Sequence, residues 1–520
     1  MRYWIILLLT LTVSWIYGQD NILRDTNLSQ AEFSVAMNPL DSNNIVLVTM
    51  HGFERIEDSY FSIYFSNDFG RSWNISEFDG FDEDLYIGAG DPVIKFDAQG
   101  AATLTGLVAT VAFDIINIVY KSIDGGRTWT TEYTGADITV DKPWMAIDKG
   151  PNSPHSGNVY IPIVDLFNVN LTRLDSSLTL VGNNTFPDGD QIPSVVVNER
   201  TGDVFTSVIT LDNPNVFYCQ QWQDGGRTLV HSTIIDSTFD FTFNAPDVSQ
   251  RYQPTPYLDI DNSGGPYDGR LYFSFTASEE NNPRYFNVHL AWSDDDGLTW
   301  TTSKPVHSDL REEVQQFYSS SYVTNDGTLI LDWYDRTNYE PGSSLTDFYM
   351  GISYDGGESF NELQLNSESM DFNFVSQAGF GFGIGEYHGL VSTNTTALSF
   401  WSDGRGIEAN QNIYYARVNL RDGVSSVEEY GMINPDIHIG NFYPNPVQNE
   451  ISLPFSTQKT KNISWQIISA EGKVLIQGSP HSYSAGQHQL DLKLNLPTGV
   501  YALVVRTEGW PVRSQVLVVE

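Results

Sequence analysis

One eight-residue motif recurs along the middle of the chain, Ser-x-Asp-x-Gly-x-(Ser/Thr)-(Trp/Phe). Four copies begin at Ser66, Ser122, Ser293 and Ser353, and a copy without the aromatic residue covers residues 223–228. Asp can accept hydrogen bonds from backbone N–H groups across a turn, and Gly supplies a positive φ. The aromatic side chain can then fill the space beneath the turn. The motif therefore predicts a repeated hairpin turn, and so an array of similar β-units.

A longer repeat lies upstream of these turns and predicts the number of units. Each instance is an alternating apolar strand, a polar turn and a second alternating strand, which is typical of antiparallel pairing. The seven instances cover residues 31–50, 91–107, 142–164, 191–209, 254–275, 315–333 and 387–401. Repeated four-stranded units are typical of propeller blades. We therefore expect an all-β chain with seven blades over about residues 25–422.

The short motif resembles the Asp box, or BNR repeat, of sialidase-like β-propellers. The resemblance implies a propeller whose Asp boxes are structural turns. Sialidases have six blades, so a six-bladed propeller is the alternative to the seven units counted here. We expect an N-terminal strand near Glu32–Val35 to close the ring by pairing into the last blade.

The N-terminus has the pattern of a secretory signal over residues 1–18. Arg2 provides the positively charged n-region, and Trp4 to Val13 is a short apolar run. Gly18 is a small residue at the expected signal-peptidase cleavage site. No segment reaches the ~20 apolar residues of a membrane-spanning helix. The predicted domains are the signal peptide (1–18), the propeller (19–422), a linker (423–440) and a C-terminal domain (441–520).

The C-terminal domain opens with Tyr443-Pro444-Asn445-Pro446 and ends in alternating strands that contain Gly499-Val500-Tyr501. It resembles the C-terminal sorting domain of proteins exported by the type IX secretion system of Bacteroidetes. The resemblance implies a small β-sandwich, the type IX machinery as a partner, and passage through the outer membrane. It also implies removal of this domain, followed by release or surface attachment.

The charge of the chain excludes one class of partner. Asp and Glu number 65 against 27 Lys and Arg, for a formal net charge of −38. Such a chain repels phosphate backbones, so we expect no nucleic-acid partner. Cys219 is the only cysteine, which excludes an intrachain disulfide framework.

Ligand sites of propellers lie over the central channel, at the ends of the innermost strands and their loops. Polar residues recur at those places, and the sialidase resemblance implies roles for several. Tyr387 and Glu386 correspond to the Tyr–Glu nucleophile pair, and Asp91 or Asp141 to the acid/base. The candidate binding residues are Arg251, Arg336, Arg405, His388 and Lys142.

The three arginines invite comparison with the triad that clamps a sugar carboxylate, since guanidinium groups bind carboxylates through two hydrogen bonds. The first triad arginine has no matching motif in residues 19–65. Alternatively, Arg336 and Arg405 form salt bridges with Asp335 and Asp403 that order the blade ends. We expect Arg336, Arg405, Tyr387 and His388 to cluster at one face, with Asp91 and Lys142 opposite.

No metal or cofactor is predicted, because His and Cys show no ligand spacing; whether Asp294-Asp295-Asp296 binds Ca²⁺ stays open. No Gly-x-Ser-x-Gly elbow is present either. The sequence favours a secreted or surface-attached enzyme that processes extracellular glycans, as a sialidase-like glycosidase or a polysaccharide lyase. The alternative is a non-catalytic propeller that binds glycans or proteins at the cell surface.

Overall fold

A computed structural model describes residues 21–23, 30–51, 60–78, 84–135, 139–166, 168–210, 215–240, 255–279, 286–309, 311, 314–372, 384–404, 411–420, 437–439, 447, 450–457, 459–469, 474–507 and 510–519. Every regular element in these residues is a β-strand. The described residues divide into two compact units, one within residues 18–426 and one within residues 427–520.

Seven antiparallel sheets form the first unit, and each is a blade. β1 is Asn21–Ile22. Blade 1 contains β2 (Gln30–Asn38), β3 (Asp41–His51), β4 (Tyr60–Asn67) and β5 (Asn74–Ile75). Blade 2 contains β6 (Tyr86–Phe96), β7 (Ala102–Thr110), β8 (Ile115–Ser122) and β9 (Thr130–Thr134). Blade 3 contains β10 (Val140–Asp141), β11 (Ala146–Ile147), β12 (Val159–Asp165), β13 (Asn168–Leu174) and β14 (Leu180–Thr185).

The remaining blades repeat this plan. Blade 4 contains β15 (Gln191–Val197), β16 (Val204–Thr210), β17 (Val216–Gln223) and β18 (Thr228–Asp236). Blade 5 contains β19 (Phe239–Asp240), β20 (Tyr257–Ile260), β21 (Leu271–Glu279), β22 (Phe286–Ser293) and β23 (Lys304–Pro305). Blade 6 contains β24 (Gln316–Val323), β25 (Leu329–Asp335), β26 (Leu345–Ser353), β27 (Asn361–Gln364) and β28 (Met370–Asp371). Blade 7 contains β29 (Leu390–Ser392), β30 (Thr396–Asp403) and β31 (Asn412–Asn419), with β1 as its fourth strand.

The innermost strands form a closed ring. They contact one another in the order β2, β6, β11, β15, β20, β24 and β29, and β29 returns to β2. The predicted all-β propeller with seven blades is therefore confirmed. Because every blade runs outward in the same strand order, the innermost strands all begin at one end of the channel.

The closing strand differs from the prediction. β1 pairs with β31 in blade 7, through Asn21 with Tyr415 and Ile22 with Tyr414. Glu32–Val35, the segment expected to close the ring, lies instead in β2, the innermost strand of blade 1. A two-residue strand has no alternating pattern, so the sequence did not reveal it. The predicted signal segment 1–18 lies outside the described residues.

The repeated turns share one hydrogen-bond pattern. In the copy that begins at Ser122, the serine Oγ accepts from the Gly126 N–H at 2.9 Å, and Asp124 accepts from the Thr128 N–H at 3.0 Å. The indole N–H of Trp129 donates to Ser76 of blade 1 at 3.1 Å. The aromatic residue of this turn therefore joins one blade to the next. The other three full copies repeat the serine and aspartate bonds.

The second unit has two sheets. β32 (Ile437–Ile439), β33 (Glu450–Thr457), β34 (Lys461–Ser469), β35 (Val474–Tyr483), β36 (Gly486–Lys493), β37 (Gly499–Thr507) and β38 (Trp510–Val519) are its strands. One sheet has the order β32-β33-β36 and the other β35-β34-β37-β38. Side chains from both sheets, such as Ile451 and Ile467, share one buried core.

Candidate functional site

In five blades a left-handed residue lies within the innermost strand or a few residues before it. The residues are Glu32, Asp91, Lys142, Ile192 and Tyr318, with φ between 47° and 52°. In blades 1, 2, 4 and 6 the strand pairing shifts register at this residue. Non-glycine residues rarely adopt this conformation, and such bulges re-aim a side chain. Three of the five side chains aimed in this way are charged.

These three residues belong to a group of five that we call the charged cluster: Glu32, Asp91, Asp141, Lys142 and Glu386. It draws on blades 1, 2 and 3 and on the segment that leads into blade 7. The Lys142 backbone N–H donates to Asp91 Oδ2 at 3.1 Å and to Asp141 Oδ1 at 3.0 Å. The Lys142 ammonium forms an ion pair with the Glu386 carboxylate.

Two carboxyl groups of the cluster, those of Glu32 and Asp91, are neighbours with raised pKa values. Burial raises the pKa of Glu32 well above its usual value, and the nearby Asp91 raises it further. Burial and the charge of Asp141 raise the pKa of Asp91 to about 6, while Lys142 opposes the rise. The side chains of Glu32 and Asp91 are hydrogen bonded to each other. Because two adjacent carboxylates repel, this arrangement disfavours ionisation of both groups at once.

Glu32 was not among the predicted site residues. The sequence assigned it to a ring-closing strand, and a left-handed bulge has no signature in an alternating pattern. Alignment of the blade starts could have revealed it, because Ala31-Glu32 corresponds to Gly90-Asp91 and to Asp141-Lys142. Each pair lies within four residues of the regular part of an innermost strand.

An aromatic layer lies next to the charged cluster in the channel: Trp144, Tyr257 and Tyr387. The Trp144 ring meets each tyrosine ring edge to face, at 5.4 Å between ring centres. The Tyr387 hydroxyl donates to the Pro92 carbonyl at 3.1 Å. Burial, followed by the charges of Asp91 and Glu32, raises the pKa of Tyr387 well above its usual value. Tyr387 is thus a buried, neutral hydroxyl with an engaged proton.

A cavity of about 480 Å³ lies beyond the aromatic layer, which contributes to its lining. Along the chain in blade 3, Lys142 of the charged cluster comes first. Trp144 of the aromatic layer follows, and then Lys149, which lines the cavity. The charged cluster and the cavity therefore occupy opposite halves of the channel, with the aromatic layer between them.

The structure brings five of the predicted site residues together: Asp91, Asp141, Lys142, Glu386 and Tyr387. Glu386 was expected to act together with Tyr387, but its carboxylate forms an ion pair with Lys142. His388 lies on the cavity side of the aromatic layer, where its Nε2 contacts Asp332 Oδ1 at 2.9 Å. Ser320 and Ser399 also donate to Asp332, so His388 joins a buried polar network of blades 6 and 7.

Arg336 is buried inside blade 6. Its guanidinium donates to Gln315 at 2.5 Å and to Thr346 at 3.1 Å, and it lies over the rings of Phe317 and Phe372. Asp335, the alternative partner, accepts instead from the Trp333 indole at 2.9 Å. Arg251 and Arg405 lie outside the described residues.

The acidic run Asp294-Asp295-Asp296 is already engaged. Asp294 accepts two hydrogen bonds from Arg270, at 2.7 and 2.8 Å, and Asp295 lies in a repeated turn. In the described part of the chain, no group of three or more His, Cys, Asp or Glu side chains is placed to hold a metal ion. Nor does any helix there have the length and apolar character to cross a membrane.

Fold and channel define a seven-bladed β-propeller protein with a second β-unit at its C-terminus. Residues 441–520 match the family model of the secretion system C-terminal sorting domain. The domain is the signature of type IX secretion, so the protein is exported, either released or carried at the outer cell surface.

Solved structures of similar fold come from several proteins. A protein of unknown function from Dyadobacter fermentans is similar over 77% of this chain and 98% of its own, with 13% identity and a TM-score of 0.44. The endosialidase of phage phi92 is similar over 83% and 72%, with 11% identity and a TM-score of 0.44. A family PL25 ulvan lyase is similar over 78% and 96%, with 10% identity and a TM-score of 0.41. No curated protein sequence matches the chain significantly.

Proposed function

We propose that the protein is a secreted glycoside hydrolase that acts on extracellular glycans through the charged cluster. The observation that carries this proposal is the adjacent pair of Glu32 and Asp91 beside the exposed carboxylate of Asp141, which contacts the same Lys142 amide as Asp91. Glycoside hydrolysis requires one carboxyl group that donates a proton and a second that acts as an ionised carboxylate. Neighbouring carboxyl groups whose surroundings push their pKa values apart meet this requirement.

In this proposal Asp91 is the proton donor. Its pKa of about 6 keeps a useful protonated fraction near neutral pH. Glu32, which has the more strongly buried side chain, lies beside Asp91 and limits the negative charge of the pair, because its own pKa is raised by burial. Asp141 acts as the second carboxylate, since it is exposed and lies within hydrogen-bond reach of the same Lys142 amide as Asp91.

The charges of the cluster favour a neutral glycan. Its five residues carry four carboxyl groups against one ammonium group, and that ammonium is already paired with Glu386. A sialic or uronic acid carboxylate would meet repulsion from these groups at short range. The net charge of −38 adds repulsion at long range, and salt screens this part.

The neutral, buried state of Tyr387 supports a carboxylate mechanism over one that begins with a tyrosine nucleophile. A phenol acts as a nucleophile when a base takes its proton. The Tyr387 hydroxyl instead donates a hydrogen bond to the Pro92 carbonyl. Glu386, the expected base, is paired with Lys142.

The test is a screen of the full chain on neutral, uronic-acid-containing and sialylated glycans, which records both product release and binding. We expect new reducing ends from a neutral glycan, and loss of this release in Asp91→Asn. An unsaturated product from a uronic-acid-containing glycan would indicate a lyase instead. Binding without any product would support the non-catalytic propeller and contradict the proposed hydrolase.

A further inference from the structure

The cavity beyond the aromatic layer is lined by residues from the innermost strands of all seven blades. It occupies the half of the channel where these strands end, away from the charged cluster. Its volume of about 480 Å³ falls within the roughly 300–1,000 Å³ of small-molecule sites. The hydrolysis proposed above uses none of the groups that are confined to this cavity.

Two charged side chains line the cavity from opposite sides of the ring. Lys95 comes from blade 2 and Asp259 from blade 5, and both are half-buried. Among the described residues, Lys95 has no carboxylate oxygen within ion-pair distance of its ammonium group. Asp259 accepts from the Ile260 N–H at 2.9 Å. Each charge influences the pKa of the other, which places both in one weakly screened space.

The rim of the cavity is also charge-balanced. Lys149 and Glu199 form an ion pair there at 3.1 Å. With Lys95 and Asp259, the lining has two ammonium groups and two carboxyl groups. This balance gives no net attraction to an anion or a cation, so it favours a neutral ligand that can both donate and accept hydrogen bonds.

Apolar side chains complete the walls. Met37, Val196 and Val391 line the cavity between the polar groups, and Trp144 belongs to its aromatic wall. A sugar ring matches this lining because its C–H faces are apolar and its hydroxyl groups donate and accept. We propose that the cavity binds a neutral mono- or disaccharide whose hydroxyl groups bridge the Lys95 ammonium and the Asp259 carboxylate. This is a second carbohydrate site, independent of the proposed hydrolase.

The test is calorimetric titration of the full chain with neutral sugars: glucose, galactose, mannose, xylose, cellobiose and lactose. We expect at least one to bind, and Lys95→Met and Asp259→Asn each to weaken that binding about tenfold or more. Lys121→Met is the matched control, because Lys121 lies in blade 2, as Lys95 does, but does not line the cavity. Its sugar binding should equal that of the unmodified protein.

A further variant covers the case in which the charge substitutions unfold the blade. Val196→Phe narrows the cavity without removing a charge, and it should also abolish binding. If no sugar binds at tens of millimolar, the cavity holds water only and the proposal is overturned. Binding that is lost in Asp91→Asn but kept in Lys95→Met and Asp259→Asn would place the sugar at the charged cluster and overturn it equally. Hydrolysis is measured separately, so a failure here does not affect the proposed hydrolase.

Discussion

Lys142 of blade 3 forms an ion pair with Glu386, which leads into blade 7, across the start of the central channel. The two residues are 244 positions apart in the chain. The backbone of the same lysine holds Asp91 and Asp141, so one residue organises three carboxylates from three parts of the ring. The proposed chemistry depends on this arrangement.

Removal of the lysine charge should shift the pH dependence of hydrolysis. If Asp91 donates a proton, kcat/KM falls as pH rises through about 6, a value that belongs to the coupled Glu32–Asp91 pair. Lys142 lowers the pKa of Asp91, so Lys142→Met should move this fall to higher pH. Lys121→Met, which removes a lysine that pairs with Asp97 at 3.7 Å, is the control and should leave the profile in place. A shift to lower pH in Lys142→Met would contradict the assignment.

Asp91→Asn should stabilise the fold at high pH. The folded-state pKa of Asp91 is raised from 3.8 to about 6, so its favourable contribution is complete below pH ~4 and is lost as pH rises through about 6. The variant avoids that loss and should gain up to about 3 kcal/mol in unfolding free energy at pH 8. Unfolding in denaturant at pH 4 and pH 8 measures this. A gain that is larger at pH 4 would refute the burial argument.

Gly385→Ala should displace Glu32. Gly385 has φ +86°, and a Cβ there would lie 2.7 Å from the Glu32 backbone nitrogen. Gly342 has φ +85° with no atom within 4 Å, so Gly342→Ala carries the same backbone strain without the clash. That strain costs about 1–2 kcal/mol. We expect Gly385→Ala to lose more stability than this, and turnover as well. Equal losses of stability in the two variants would show that Glu32 is not held by this contact.

Trp129→Ala should weaken the junction between blades 1 and 2. The side chain is 5% exposed and bonds to Ser76, so its truncation should cost about 3–5 kcal/mol. Ile123 lies in the same turn and is 85% exposed, so Ile123→Ala should change stability by less than about 0.5 kcal/mol. Unfolding in denaturant compares the two. Similar small effects would mean that the aromatic residue of the turn does not join the blades.

Loss of the first strand should open the ring. A chain that begins at Arg24 lacks β1 and Leu23, whose N–H donates to the Ile413 carbonyl at 2.8 Å. A chain that begins at Gln19, as a cut after Gly18 would leave it, keeps both. Thermal unfolding should show a lower midpoint for the shorter chain only. Identical midpoints would rule out β1 as the closing strand.

The blade count could be predicted because the repeated turns and alternating strands are local patterns. The charged cluster was partly predictable, since Asp91, Asp141, Lys142 and Glu386 lie at recognisable blade starts. Glu32 was missed because its role comes from a left-handed bulge. Arg336 was misjudged because Gln315 and Thr346, which hold its guanidinium, belong to other parts of blade 6. Cross-strand register decides such contacts, and the sequence does not display it.

The most direct test of the central claim compares Asp91→Asn with Asp259→Asn on whichever glycan the unmodified protein cleaves. Asp91 belongs to the charged cluster, and Asp259 lines the same channel beyond the aromatic layer. General acid catalysis contributes roughly 10²–10⁴-fold in rate. We predict that Asp91→Asn loses at least about 100-fold in kcat, while Asp259→Asn keeps kcat within about threefold. Equal turnover in Asp91→Asn and the unmodified protein would contradict the account.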